Sequence, residues 1–157
     1  MRLYHSVECG WGEVTLSFLY RNFNCVLYTD QMKDFDRWNK SKKKIDRKLR
    51  PTIRQGKVYW CNLGANIGVE QDGRGDNFQR LVIVIKKFSN QLTLVAPLTT
   101  KLHSGNWYLN IHILERDAQI ILNQTRPVDT KRLLEEVGEI SENKVKEIVQ
   151  KYINLII

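Results

Sequence analysis

From residue 57 to residue 122 the apolar positions fall in short blocks bounded by Gly, Asn, Ser and Pro, the texture of β-strands. The block 57–63 (KVYWCNL), rich in Val, Tyr and Trp, predicts a first strand. Residues 64–77 follow as a loop with four glycines. Strands are predicted over 81–87 and 92–98, joined by the turn Phe88-Ser89-Asn90-Gln91, and over 106–113 and 119–122. The run Leu81-Val82-Ile83-Val84-Ile85 lacks polar alternation and so reads as a central strand covered on both faces. These short strands predict a mainly β domain of the α+β class, built as a small closed or half-closed barrel.

Two helical stripes flank the β region. In 32–49 the apolar residues Phe35, Trp38, Ile45 and Leu49 lie 3, 7 and 4 apart, a narrow seam in a charged segment. Thr29 or Asp30 is the expected cap, and Pro51 the expected stop, because the residue before a proline is pushed out of the α region. At the other end Ser141 is a good N-cap and Glu142 suits the helix dipole. Val145, Ile148, Val149, Tyr152, Ile153 and Ile156 then form a stripe that packs on the barrel. Each such burial contributes roughly 1.5–3 kcal/mol before entropy. Asp129 is expected to cap a short helix through Leu134.

Residues 1–31 carry little pattern. VTLSFLY and NCVLYT read as short strands without partners, and Met32-Lys33-Asp34 reads as a second start. Removal of this segment is expected to leave folding and activity intact. The chain thus divides into 1–31, a basic helical extension over 32–50, and a barrel domain with a C-terminal helix over 51–157.

Charge changes the picture in one place. Eleven Lys/Arg and three Asp lie between Lys33 and Lys57, so this stretch carries the whole net charge of +8 and the remainder is neutral. Such an arm either attracts polyanions or is a solvated helix face. No run is long enough to span a membrane, and no secretory signal is read at the start. Cys9, Cys25 and Cys61 form no CxxC pair, which points to free thiols and a cytoplasmic location.

The candidate chemistry centres on Arg80, which enters the apolar strand directly from the glycine-bearing loop. A guanidinium is permanently charged and meets phosphate oxygens through two donors. At the strand mouth it is expected at the rim, bound either to phosphate or to Glu70 or Asp76, with little effect on stability when removed. Thr99 and Thr100, where the next strand ends, offer hydroxyls to the same anion or merely shape the turn. Gln124 and Arg126, in LNQTRPVD, are further donors or a self-bonded turn. Trp107 or Tyr108 can stack on an unpaired base, the other facing the core. Glu70, Asp72 and Asp76 do not match a calcium loop, and no zinc motif or phosphate-cradling GxxxxGK[ST] is present. No metal or other cofactor is expected. His5, His103 and His112 are scattered and read as surface or core residues.

The pieces QGKVYWCNLG, GVEQDG, FQRLVIVIKKF, APLTTK, ILNQTRPVDTKRL and VGEIS, followed by the terminal helix, resemble in order and spacing the MazF/PemK family of toxin–antitoxin ribonucleases. The resemblance covers about two thirds of the chain, and the charged helix from Met32 resembles an extension found in one branch of that family. It implies an SH3-like barrel acting as a homodimer. It also implies metal-independent cleavage of single-stranded RNA by attack of a ribose 2′-hydroxyl, leaving a 2′,3′-cyclic phosphate and a 5′-hydroxyl. A cognate antitoxin would fill the groove. The family's arginine falls on Arg80, its threonine on Thr99, its Glu-Gln loop pair on Glu70 and Gln71, and its late glutamine on Gln124. Arg80 would stabilise charge and act as an acid, with Glu70 as candidate base. Thr100, Arg126 and Trp107 would contact substrate. Two positions depart from the pattern: Leu81 stands where the family has proline, and Asn123 where it has an acid. These departures leave open a binding module of the same fold that acts on nucleic acid or a protein without catalysis.

Overall fold

The computed structural model describes residues 33–157, and every structural statement below refers to them. Seven strands form one antiparallel sheet: β1 (Lys57–Asn62), β2 (Gln79–Lys87), β3 (Leu92–Thr99), β4 (Tyr108–Ile113), β5 (Arg116–Ile121), β6 (Arg126–Asp129) and β7 (Leu133–Glu139). Their order is β4-β5-β3-β2-β1-β7, with β6 also paired to β3. β3 bridges the two halves, bonding β6 through Leu92–Val95 and β5 through Leu98 and Thr99. Bulges in the β1–β7 and β2–β3 ladders bend the sheet. The curl brings its two ends together, with the Ile113 side chain against the backbone of Gly138.

β2 is the central strand that its unbroken apolar run predicts. Ile83 and Ile85 enter one core with Val58, Leu98, Ile120 and Ile148, whereas Val82 and Val84 enter a second with Ile53, Tyr59, Cys61 and Leu133. Two cores on opposite faces of one strand explain why no position from 82 to 85 is more than 2% exposed. Cys61 is buried and unpaired; burial pushes its thiol up to about 12, so it behaves as an apolar side chain. Cys9 and Cys25 lie outside the described residues.

α2 (Glu142–Ile156) begins at Ser141, whose Oγ accepts from the Lys144 amide, as expected. Val145 and Ile148 are buried and Val149, Tyr152 and Leu155 pack beside them, but Ile153 and Ile156 are exposed. Of the expected stripe, Val145, Ile148, Val149 and Tyr152 dock, and in the last turn Leu155 packs in place of Ile153 and Ile156. At Asp129 the expected helix is one 3-10 turn, Thr130–Arg132, capped by that aspartate, after which the chain enters β7. β6 and β7 have mixed burial patterns, and neither was predicted as a strand.

α1 (Phe35–Asp46) is shorter than predicted. Its cap is Asp34, whose carboxylate accepts from the Arg37 amide; Thr29 and Asp30 lie outside the described residues, as do the two short strands expected before them. The helix closes at Arg47 through bonds to Lys44 and Ile45, well before Pro51, and Leu49 lies beyond it at 94% exposure. Only Trp38 and Ile45 are buried. The Trp38 indole lies against Gly64, where a Cβ would sit 2.3 Å from the ring and where φ is +95°. Phe78 packs at 5.5 Å and the Arg132 guanidinium stacks at 5.4 Å from the ring. Among the described residues no helix is long and apolar enough to cross a membrane.

Trp38→Ala should cost about 3–5 kcal/mol in urea unfolding, the usual range for a buried aromatic. Gly64→Ala should also destabilise, through both the clash and the left-handed backbone. Because the clash partner is the indole, the two losses should sum to more than the double variant shows.

Candidate functional site

Continuing the β2–β3 register from the Val82↔Pro97 pair places Thr99 across from Arg80 on the same face. Arg80 is not at an open rim. It is 7% exposed, and the loop between β1 and β2 wraps its guanidinium. Nε donates to the Asp72 carbonyl at 2.7 Å and Nη1 to the Leu98 carbonyl at 3.2 Å. The bonding pattern around the Gln71 amide turns its oxygen toward Nη2, at 2.8 Å. A guanidinium has five N–H donors; three are held by protein oxygens, and two remain for a ligand. Burial is the main influence on this group and, reinforced by Arg74, lowers it to about 10 despite the opposing pull of Asp72. Neither expected carboxylate pairs with it: Asp76 bonds Arg37 at 2.9 Å, and Glu70 is exposed without an ion pair among the described residues.

Two cavities open on the Arg80–Thr99 pair. The first, about 450 Å³, has apolar walls from Trp60, Leu81, Leu98, Ile113 and Leu114, and Arg74, Gln79, Thr100 and Arg116 add polar groups to the Arg80–Thr99 pair. The second, about 410 Å³, is polar and is lined by Gln71, Arg74, Lys101, His103, Tyr108, Asn123 and Gln124. Arg74, Arg80 and Thr99 line both. Neither lining contains a carboxylate. An acid-free wall with several cations favours an anionic ligand and disfavours cationic ones.

Thr99 is 6% exposed, and its hydroxyl shapes the turn by accepting from the Lys101 amide at 3.2 Å. Gln124 is a brace: its Oε1 accepts from the Gln71 amide at 2.9 Å. Arg126 lines neither cavity; its Nη2 donates to the Gln71 carbonyl at 2.6 Å, and burial lowers its affinity for its proton. Contacts from Asn66, Gln124, Arg126 and Arg80 thus converge on Gln71. Glu70 and Trp107 also lie outside both linings. Trp107 is 41% exposed beside the half-buried Tyr108, which stacks on His103 at 5.0 Å.

The structure therefore joins Arg80, Thr99, Thr100, Gln71 and Gln124, and adds Trp60, Arg74, Lys101, His103 and Arg116. None of these five additions carries a local motif. His103 is positioned by Gln119, whose side-chain amide bonds its backbone at both N and O. Only the pairing of β3 with β5 reveals that contact. No cluster of three or more His, Cys, Asp or Glu side chains occurs among the described residues.

A family model of the PemK-like, MazF-like toxin of type II toxin–antitoxin systems matches residues 54–156. The fold is similar to that of MazF (form I) from Deinococcus radiodurans, with a TM-score of 0.55 and 19% identity over 69% of this chain and 98% of the other. It is also similar to MazE–MazF (form II) from the same organism, with a TM-score of 0.51 and 16% identity over 69% and 97% of the two chains. An endoribonuclease in complex with its cognate antitoxin, from a mycobacterial species, matches with a TM-score of 0.50 and 11% identity over 67% and 95%. The family match takes in β1 through all of α2, including every strand that forms the two cavities, and so this chain belongs to the PemK-like, MazF-like toxins of type II toxin–antitoxin systems.

Proposed function

We propose that this toxin is an endoribonuclease that cuts single-stranded RNA without a metal ion. The observation that carries the reading is the buried Arg80, which lines both carboxylate-free cavities and has two donors beyond its three bonds to protein oxygens. In the proposed reaction a ribose 2′-hydroxyl attacks the adjacent phosphorus, the P–O5′ bond breaks, and the products are a 2′,3′-cyclic phosphate and a 5′-hydroxyl. Negative charge builds on the phosphorane oxygens in the transition state, where preorganised donors act most strongly. Arg80 needs little rearrangement to meet it, because backbone oxygens already hold its plane. Its lowered proton affinity also makes it a better acid for the leaving 5′-oxygen than an ordinary guanidinium.

For the base, His103 lines the polar cavity and offers an imidazole nitrogen as proton acceptor. Glu70, exposed on the loop, reaches the cavity only after loop movement. Thr100 and Gln124 contact the substrate from the two cavity walls, and Arg126 acts through Gln71. Trp107 offers an exposed ring at the edge for base stacking. The working unit in this reading is a cytoplasmic homodimer held in check by a cognate antitoxin. The antitoxin complexes among the similar structures support that partner.

Purified protein incubated with a long RNA and EDTA should yield fragments with cyclic-phosphate and 5′-hydroxyl ends, and 2′-deoxy substitution at the cut should block it. Intact RNA, or cutting only with added magnesium, would refute the assignment; intact RNA with retained binding would instead mark a binding module.

Arg80→Lys, which keeps the charge but loses the planar fork, should lower kcat by at least about 10²–10³. Arg80→Ala should in addition destabilise the fold by roughly 1–3 kcal/mol for each carbonyl left unbonded, unlike a rim arginine. The rate at wild-type Arg80 should fall as pH rises through about 10, where this cation is lost. A chimeric DNA substrate with a single ribose, corrected for uncatalysed cleavage, reads that limb.

A further inference from the structure

The structure assigns a second role to α1: we propose that its outer face is a track for the phosphate backbone of RNA, extending the site beyond the cavities. This rests on the nuclease reading for the identity of the polyanion. Lys40, Lys43, Lys44 and Arg47 recur at spacings of 3, 1 and 3, and therefore share one face of a helix turning 100° per residue. That face lies opposite Trp38 and Ile45, the two residues buried against the body. All four cations are exposed. Among the described residues none of them has an ion pair, whereas Lys33, Arg37, Arg50 and Arg54 each do.

The helix C-terminus favours Lys43, Lys44 and Arg47, and Asp36 precedes Lys40 by one turn, but Lys40 with Lys44 and Lys43 with Arg47 are like charges four residues apart that repel each other. A solvated helix face gains more from alternating signs. The uncompensated face therefore fits a polyanion that neutralises it.

Placement selects RNA. α1 is no floppy arm: Trp38 seals against Gly64, and Lys33 Nζ bonds the Asn66 carbonyl and the Asp72 carboxylate, each at 2.8 Å. The Asp72 carbonyl is the oxygen that holds Arg80 Nε. Arg74 lines both cavities, and Asp76, two residues on, bonds Arg37 in the first turn of α1. The Arg37–Asp76 pair thus ties the first turn of α1 to the loop that carries Arg74, so Lys40, Lys44 and Arg47 extend from the element fastened to the cavity wall. The outer face presents no apolar anchor of the kind on which peptide recognition relies. Phosphates need none, since charge alone supplies sequence-independent affinity.

The test uses 2′-O-methyl RNA, which binds but lacks the attacking hydroxyl, in one length that fills the cavities and one that also reaches the helix. The variant Lys40→Gln/Lys43→Gln/Lys44→Gln/Arg47→Gln should weaken the long RNA only. It should also reduce the slope of log affinity against log salt by about 3, at roughly 0.7 per phosphate contact for single strands. Lys86→Gln/Lys87→Gln/Lys146→Gln, which removes cations elsewhere, should leave length dependence unchanged. Cleavage of a short RNA should keep its kcat in the four-site variant, while KM for long RNA rises. Equal slopes for wild type and variant, or equal loss on both lengths, would overturn the track. Wild-type binding to polyglutamate or to anionic vesicles as tight as to long RNA would overturn it in favour of those partners. Tight binding of long RNA by a protein that cuts none would sink the nuclease reading and leave the track standing.

Discussion

Arg80 is a cation taken out of water, and burial of a charge is costly unless polar groups replace its hydration. Here the replacement comes from oxygens at 71, 72 and 98, two of them on the β1–β2 loop and one on β3. The loop must therefore keep its conformation for the arginine to remain buried and aimed. Gln124 and Arg126 brace the loop from one side through Gln71, and α1 does so from the other through Lys33 and Trp38. Much of the polar architecture around the site serves this one requirement.

That dependence unites features that look unrelated along the chain. Gly64 lacks a side chain because Trp38 occupies the space, and Trp38 is there because α1 is fastened to the loop. Asp72, spaced for no metal motif, joins the two halves: its carboxylate accepts from Lys33 and the Asn66 amide, while its carbonyl accepts from Arg80. The basic extension is thereby structural at its inner face. Its outer face, whose cations have no ion pair among the described residues, is left for something else.

The two sequence departures gain a setting. Leu81 lies opposite Trp60 in the β1–β2 ladder and helps wall the apolar cavity. Asn123 lines the polar cavity and leaves it without a carboxylate. An acid there would have partly neutralised the cations. Its absence deepens the positive character on which anion binding depends.

Strong periodicity was read correctly from the chain alone. The central strand, the capped terminal helix and the β1–β2–β3 run all rest on local patterns of hydrophobicity and capping that survive folding unchanged. β6 and β7 carry no such pattern, because their residues are half-exposed and their identity as strands comes from partners far along the chain. The chemistry divides in the same way. A lone arginine entering an apolar strand, a threonine at the next strand's end and a late glutamine were legible as residue types and order. Their burial, their bonds and the company of Arg74, Lys101, His103 and Arg116 were not, because side-chain environment is set by contacts between segments that sequence leaves unspecified. The chain by itself determined which donors exist and which strands carry them. Only the curled sheet and the loop folded over it decided that the key guanidinium is enclosed, how many of its hydrogens remain free, and that no acid shares its cavities.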